Sequence, residues 1–546
     1  MIAAWRPLVL AMLGVLIAAP VRADDLEELR KLRDTTIAIV NALVEQGVLS
    51  REKADALIAQ AEQAGAKAAP TVPTAPAAPV APPTAAPAPE VVRVPYVPDT
   101  VKQEISAEVK RDVLAQARTE RWGDPGAFPE WVQHFSFYGD IRLREEADLF
   151  PTDSQPNAPV AILQAYGENI ANSTVSDYRL RLRARFGFNV SVGDTVTLGI
   201  GLASGGVGSG ANPGSENQTL GNYASRSTVG FDRAFIAWHP QSWLSLLGGR
   251  IGNPYFRPTT LVWANDLSLE GVLIALNPSF GPHWSTFTNI GAFPILQNSP
   301  NPLSSSPSKW LYAYQTGFGL RFNDAANWRL GAALYDFRNI EGIPNPSIYT
   351  TEYSATAAPY RQTGNTVFDI NGLLNTQNGT QNYLWGLASK FDELNVSTSL
   401  DFGFVGRSHV ILEGDWVRNL GFDRNEILRR TGYLVDPQTN GWASRVMVGY
   451  PVLAEKHSWQ AWIGYRYVQR DATLDAFTDT DFHLGGTDAK GYFLGAGYAF
   501  EKNTAVIVRW DSAKQIDGVE LAGADAQLGG LPLASDVLQL DLSSAF

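Results

Sequence analysis

The sequence predicts an all-β transmembrane barrel of about sixteen antiparallel strands, preceded by a short α-helical periplasmic segment. Three observations predict it. Arginines alternate with apolar residues in one stretch, the connections between strand candidates alternate between short and long, and the last strand candidate ends on Phe546.

The stretch is Tyr178-Arg179-Leu180-Arg181-Leu182-Arg183-Ala184-Arg185-Phe186. A strand sends successive side chains to opposite faces, so one face carries four guanidinium groups and the other is apolar. Four arginines at this spacing cover roughly 20 Å of strand. Facing lipid at mid-depth, each would cost on the order of 2–4 kcal/mol. They are therefore expected to face a wet lumen. The preceding candidate agrees, because Tyr138, Asp140, Arg142 and Arg144 share one parity and Phe135, Phe137, Ile141 and Leu143 the other.

Beyond about residue 134, period-2 segments recur: 134–146, 176–191, 194–203, 226–238, 243–251, 267–276, 283–293, 311–322, 328–338, 395–404, 408–418, 442–450, 459–469, 491–500, 504–511 and 536–546. The tenth is the weakest, because 383–391 also reads as strand. In 229–237, Asp232 and Arg233 occupy opposite parities, which a regular membrane strand does not accommodate. Short turns such as Val192-Gly193-Asp194 and Glu501-Lys502-Asn503 alternate with long loops, the longest between 339 and 394. Short turns on one rim and long loops on the other are the pattern of an outer-membrane barrel. In 536–546 the even positions are mostly apolar, and the terminal Phe546 reads as an assembly signal.

The remainder of the chain divides by composition. Residues 1–23 contain one apolar run, Leu8 to Ala19, with Arg6 before it and Val21-Arg22-Ala23 after it; this reads as a secretory signal peptide. Residues 24–67 suit a helical hairpin or coiled coil, with a periplasmic or cell-wall partner conceivable through 24–65. Residues 68–99 are a Pro/Ala-rich spacer. Residues 100–130 form a periplasmic helix and lead-in, and 131–546 the barrel.

The lumen charges are expected from these placements. Arg142, Arg144, Arg179, Arg181, Arg183 and Arg185 make a basic wall. Glu413 and Asp415, on the eleventh of sixteen strands, fall nearly opposite, and Asp266 and Glu270 add acid beside the third long connection. That connection, Gly252 to Asp266, is rich in aromatics and is expected either to fold inward and narrow a pore or to stay outside. A transverse field of this kind orients dipolar solutes and sorts ions.

Composition narrows the function. The formal net charge is −12, which argues against a nucleic-acid partner, and there is no Cys, so no disulfide and no lipid-anchored N-terminal Cys. The six His residues form no metal-binding cluster, and no nucleophile elbow or phosphate loop is present. Asp479-Thr480-Asp481 with Gly485-Gly486 and Asp488 resembles a calcium loop only loosely, and a solvated loop is the preferred reading. No catalytic residue, metal or cofactor is expected.

Several stretches together resemble the bacterial "putative porin" family, similar in plan to phosphate-selective porins. They include Val97-Pro-Asp-Thr-Val-Lys, Ala127-Phe-Pro-Glu-Trp, Tyr138-Gly-Asp-Ile-Arg-Leu-Arg-Glu-Glu, Tyr178-Arg-Leu-Arg-Leu-Arg-Ala-Arg, Asn217-Gln-Thr-Leu-Gly, Phe231-Asp-Arg-Ala-Phe-Ile-Ala-Trp and Gly248-Gly-Arg-Ile-Gly-Asn-Pro-Tyr. The resemblance is sharpest over about 95–275 and does not cover 24–90. It implies an outer-membrane porin, passing small hydrophilic solutes by diffusion and set in outer-membrane lipid. A homotrimer follows by analogy alone. The lumen arginines bias the expected channel toward anions. The rival expectation is a plugged barrel that tethers the envelope through its periplasmic helices.

Overall fold

A computed structural model of the chain describes residues 132, 134–151 and 175–546, apart from a few single loop positions, 348–349, and parts of 373–383 and 518–532. The signal peptide, the helical hairpin, the Pro/Ala spacer and the 100–130 helix lie outside the described residues.

Sixteen long strands form one antiparallel sheet: β1 (Phe135–Leu149), β2 (Asp177–Val192), β3 (Val196–Ser204), β4 (Val229–Gln241), β5 (Leu244–Gly252), β6 (Ser268–Leu276), β7 (Trp284–Leu296), β8 (Lys309–Asn323), β9 (Ala326–Arg338), β10 (Phe391–Val405), β11 (Ser408–Asn419), β12 (Asn440–Gly449), β13 (Trp459–Val468), β14 (Ala489–Glu501), β15 (Thr504–Gln515) and β16 (Ala534–Ala545). Each pairs with the next, and β16 pairs back onto β1 from Asp140↔Ala545 to Leu149↔Asp536. The sheet is therefore closed, which removes the edges that lipid cannot satisfy. All sixteen period-2 segments correspond one to one with these strands. The ambiguous stretch at 383–391 resolves as Trp385–Leu387, paired with Val367–Asp369 in a separate small sheet, and β10 starts at Phe391.

The faces sort as the alternation requires. Ile141 and Leu143 on β1, Val272 and Ile274 on β6, and Leu538, Leu540 and Leu542 on β16 are all exposed. Exposed apolar side chains at every second position around a closed ring form a surface that only lipid makes favourable. Exposed Trp243, Trp284 and Trp459 sit by the short turns, and Tyr312, Trp416 and Trp442 toward the long loops, as two interfacial girdles require.

The misfit in β4 has a structural answer. Its register with β3 shifts between Gly201↔Arg233 and Leu202↔Phe231, leaving Asp232 as an extra residue. A bulge puts two residues opposite one and locally suspends the alternation. Phe231 and Ala234 stay on the exposed face, while Asp232 and Arg233 are both half-buried and lie 3.4 Å apart. Two consecutive charges thus avoid lipid.

Long loops fold into the ring and build an apolar core within it. Loop 253–267 contributes Tyr255, Leu261 and Trp263, loop 339–390 contributes Ile340, Val367 and Leu387, and loop 469–488 contributes Leu474 and Phe482. Trp263, 1% exposed, packs edge-on against Tyr335 at 4.9 Å and stacks on Phe477 at 6.0 Å. A helix not foreseen in the sequence, α1 (Arg424–Thr431), lies in the loop after β11; the Asp423 carboxylate caps it and Gly432 ends it with a positive φ of 80°.

Candidate functional site: a charged lumen wall and the loop across from it

The wall is built by register. On β1 and β2, Asp140 pairs with Arg185, Arg142 with Arg183, Arg144 with Arg181 and Glu146 with Arg179. Two of these rungs set arginine opposite arginine, an unfavourable arrangement by itself. Diagonal carboxylates resolve it. Arg183 reaches Asp140 at 2.8 Å and Asp266, at the end of loop 253–267, at 3.0 Å. Arg185 pairs with Asp140 and lies 3.5 Å from Glu216. Arg181 and Arg179 share Glu146 at 3.0 and 2.6 Å, and Arg179 also reaches Asp148 at 2.7 Å.

Arg144 turns the other way. Its Nε and Nη2 donate to the two carboxylate oxygens of Asp541 on β16 at 2.7 and 2.9 Å, and its Nη1 donates to Asp481 at 2.9 Å. The fork geometry matches a carboxylate and orients both groups. Arg142 donates to Asn217 at 2.6 Å and lies 4.0 Å from Asp541. The six arginines therefore stand in two adjoining clusters: Arg142, Arg144, Arg179 and Arg181 are linked through Asp541 and Glu146, and Arg183 and Arg185 through Asp140 and Asp266.

Exposure differs within the clusters. Side chains of Arg179 and Arg185 are 33% and 29% exposed, whereas Glu146, Asp148 and Asp140 are 2%, 7% and 13% exposed. At these two positions the guanidinium groups are the accessible ones and their carboxylates lie behind them, whereas Arg144 is less exposed than its partners Asp541 and Asp481. Among loop groups, burial first and then the neighbouring Asp266 push Glu216 up to about 8, against the pull of Arg185. Burial opposes ionisation of Asp481, but the guanidinium groups of Arg144 and Arg509 override it and hold this carboxyl well below the usual range.

Across the ring stands loop 253–267, and the inward alternative is the one adopted. Thr259 donates to Asp415 from its backbone N at 2.9 Å and its Oγ1 at 2.6 Å. Thr260 donates to Asp479, and the Pro258 carbonyl accepts from Arg445 at 3.2 Å. Gln315 on β8 holds both the N–H and the C=O of Phe256, at 2.7 and 2.9 Å.

These contacts change the reading of the predicted acids. Asp415 points inward but is buried beneath Thr259. Glu413 points inward and pairs with Arg445 on β12. The two stand as anchors for the loop and its neighbours rather than as a bare wall facing the arginines. Glu270 shares parity with exposed Val272 and Ile274 and pairs with Arg250 at 2.7 Å, and both line a cavity with Pro359, Asp475 and Phe477 of the inward-folded loops. The 479–488 segment is not a solvated loop either. Asp479 and Asp481 are taken up by Arg466, Arg509 and Arg144, and among the described residues no group of acids and histidines is placed to hold a metal ion.

Sequence reasoning missed Arg445, Arg509, Asp481 and Asp541 as members of the lumen network. Parity does place Arg445, Arg509 and Asp541 inward, but the carboxylate of a loop such as Asp481 has no periodic signal. Phe546 packs on Phe186 with ring centroids 6.4 Å apart, and its N–H donates to the Gly139 carbonyl at 3.0 Å.

Comparison with known proteins places the chain. It is similar in structure to the outer membrane channel DcaP of Acinetobacter baumannii, at 11% identity and a TM-score of 0.39, covering 76% of this chain and 97% of that one. It is also similar to Pseudomonas putida OprB, at 13% identity and a TM-score of 0.42 over 76% of this chain and 94% of that one. Salmonella typhi OmpF gives 12% identity and a TM-score of 0.38 over 76% and 97%. No curated protein matches the chain. The family described as "Putative porin" matches residues 33–546, nearly the whole chain and all of the closed barrel. On that match and its lipid-facing exterior, the chain belongs to the "putative porin" family and is an outer-membrane channel.

Proposed function

We propose that this channel passes small hydrophilic solutes by diffusion and prefers anions. One observation carries the preference: on the β1–β2 wall two guanidinium groups, Arg179 and Arg185, are more exposed than the Glu146, Asp148, Asp140 and Glu216 carboxylates that pair with them. A passing solute meets Arg179 and Arg185 first, and the acids act behind them. The net charge of −12 belongs to the whole chain and does not set the field at the wall. Glu216, pushed up to about 8, carries a proton for part of the time near neutral pH and withholds part of its negative charge. The proposal includes a homotrimer in outer-membrane lipid, with residues 24–130 on the periplasmic side.

Planar-bilayer recording tests it. Discrete conductance steps are expected, with a reversal potential in a KCl gradient on the chloride side. Absence of conductance at any salt concentration overturns the channel reading.

A second reading is favoured by the apolar core that loops 253–267, 339–390 and 469–488 build inside the ring. In it the barrel is plugged and residues 24–65 bind an envelope partner. Deleting 24–98 separates the two: a diffusion channel keeps its conductance, and a tether loses its role.

A further inference from the structure

We propose that the cavity between loop 253–267 and the β12–β15 wall binds a small carboxylate with a flat apolar body, an aromatic monocarboxylate in its simplest form. This rests on the channel reading and deepens its anion preference by naming a solute class. The cavity has a volume of about 210 Å³ and lies among Arg445, Arg466 and Arg509, with Trp462, Phe482 and Phe493 beside them.

Three arginines and one carboxylate, Asp479, line the cavity. Arg445 is paired with Glu413 and Arg509 with Asp511 behind the lining, so the capacity for an anion rests on Arg466. Asp479 is already shared: it accepts from Thr260 and stands 3.7 Å from Arg466 and 3.5 Å from Arg509.

An unfilled hydrogen-bonding capacity supplies the independent observation. Arg466 is 2% exposed, yet its Nε and Nη1 have no hydrogen-bond acceptor. Its Nη2 donates weakly to the carbonyls of Leu261 at 3.4 Å and Gly486 at 3.5 Å, and its Nη1 stands 3.7 Å from Asp479, beyond hydrogen-bond reach. Buried guanidinium donors left without acceptors are costly. Nε and one Nη edge of arginine form the fork that a carboxylate fills with both oxygens.

The rings then select the body of the ligand. Phe482 and Phe493 meet edge-to-face with centroids 6.4 Å apart, and the Arg466 guanidinium lies 5.3 Å from the Phe482 ring. The Phe493 and Trp462 rings lie over Gly464 and Gly495, where a Cβ would come within 2.2 and 2.3 Å of ring carbons. Those glycines leave the aromatic faces flat against the wall. A cavity of roughly 150 Å³ is enough to hold benzene, so this one accommodates a ring with its carboxylate turned toward Arg466.

The test uses the full-length protein in planar bilayers, with chloride current recorded while sodium benzoate, sodium acetate or inorganic phosphate is titrated. Benzoate is expected to reduce the current saturably, at about tenfold lower concentration than acetate or phosphate. Arg466→Gln should raise the half-blocking benzoate concentration about tenfold or more, while Arg407→Gln, on the exposed turn between β10 and β11, leaves it unchanged. Should Arg466→Gln fail to fold, Arg445→Gln reads the charge and Phe493→Leu reads the ring. Equal potency of the three anions overturns the proposal, as does stronger block by phosphate or a benzoate block indifferent to the cavity variants. The reversal potential in KCl alone decides the anion preference separately. A saturable benzoate site in a channel without that preference would sink the preference and leave the site standing.

Discussion

Thr259 and Asp415 join two sides of the lumen: the backbone N and Oγ1 of Thr259, on loop 253–267, both donate to one carboxylate oxygen of Asp415 on β11, at 2.9 and 2.6 Å. Replacing Asp415 with Ala leaves both donors without their acceptor in a buried setting. The expected cost is about 2–3 kcal/mol of barrel stability. Loop 253–267 should loosen, and single-channel conductance should rise with greater current noise. Bilayer recording together with denaturant unfolding in detergent measures both, and unchanged conductance means the loop does not limit the passage.

Arg181→Glu with Arg183→Glu reverses two charges in the centre of the wall. The chloride-side reversal potential should move toward zero or cross it. If selectivity stays as in the wild type, these arginines do not set it. Arg179→Gln with Arg185→Gln should produce a smaller shift in the same direction, since it removes the two exposed charges without adding negative ones.

Glu146 serves three arginines from a side chain that is only 2% exposed: Arg179 at 2.6 Å, Arg181 at 3.0 Å and Arg144 at 3.6 Å. Glu146→Gln should destabilise the barrel by about 3 kcal/mol, as removing one partner from a buried ionic network does. The midpoint of denaturant unfolding reads this directly.

The pH dependence follows from Glu216, whose carboxyl is pushed up from 4.5 to about 8. The folded state holds its proton more tightly than the unfolded chain does. The linked stability is therefore full below about pH 4.5 and is lost as the pH rises toward about 8. In the folded channel the proton leaves as the pH passes about 8, where a carboxylate charge appears beside Arg185, so the anion preference should fall there. Reversal potentials at about pH 6 and about pH 9 should differ in the wild type and agree in Glu216→Gln. A step of the same size in the variant assigns the titration to another group.

We propose that Phe546 is the assembly signal and also closes the seam. Its ring would clash with any Cβ at Gly139, at 2.6 Å, and it packs on Phe186. Phe546→Ala should lower the yield of heat-modifiable folded barrel in a membrane-insertion assay. Phe186→Ala, which removes only the packing partner, should affect yield less. Equal losses would reduce Phe546 to a packing role.

The strands and their faces were legible in the sequence because membrane strands obey a strict rule: each residue faces either lipid or water, and the cost of error is high. Arg179, Arg181, Arg183 and Arg185 could be assigned to the lumen on that cost alone. The same rule failed at Asp232 and Arg233, where a bulge suspends the alternation. At Glu270 the residue follows the exposed parity and finds Arg250 as its partner.

Loops carry no such period. That Asp481 in one loop and Asp266 in another supply carboxylates to Arg144 and Arg183 follows from how those loops fold back into the ring. The same is true of Asp415, whose charge the sequence placed in the lumen and whose partner only the fold supplies. By itself, then, the sequence determined a closed barrel with its strands and their apolar exterior, because solvent contrast across each strand is a local property. The tertiary structure alone decided which loop carboxylates reach the arginines and that loop 253–267 crosses inward, because both depend on groups far apart in sequence, 83 residues for Arg183 and Asp266, 156 for Thr259 and Asp415 and 337 for Arg144 and Asp481, meeting in space.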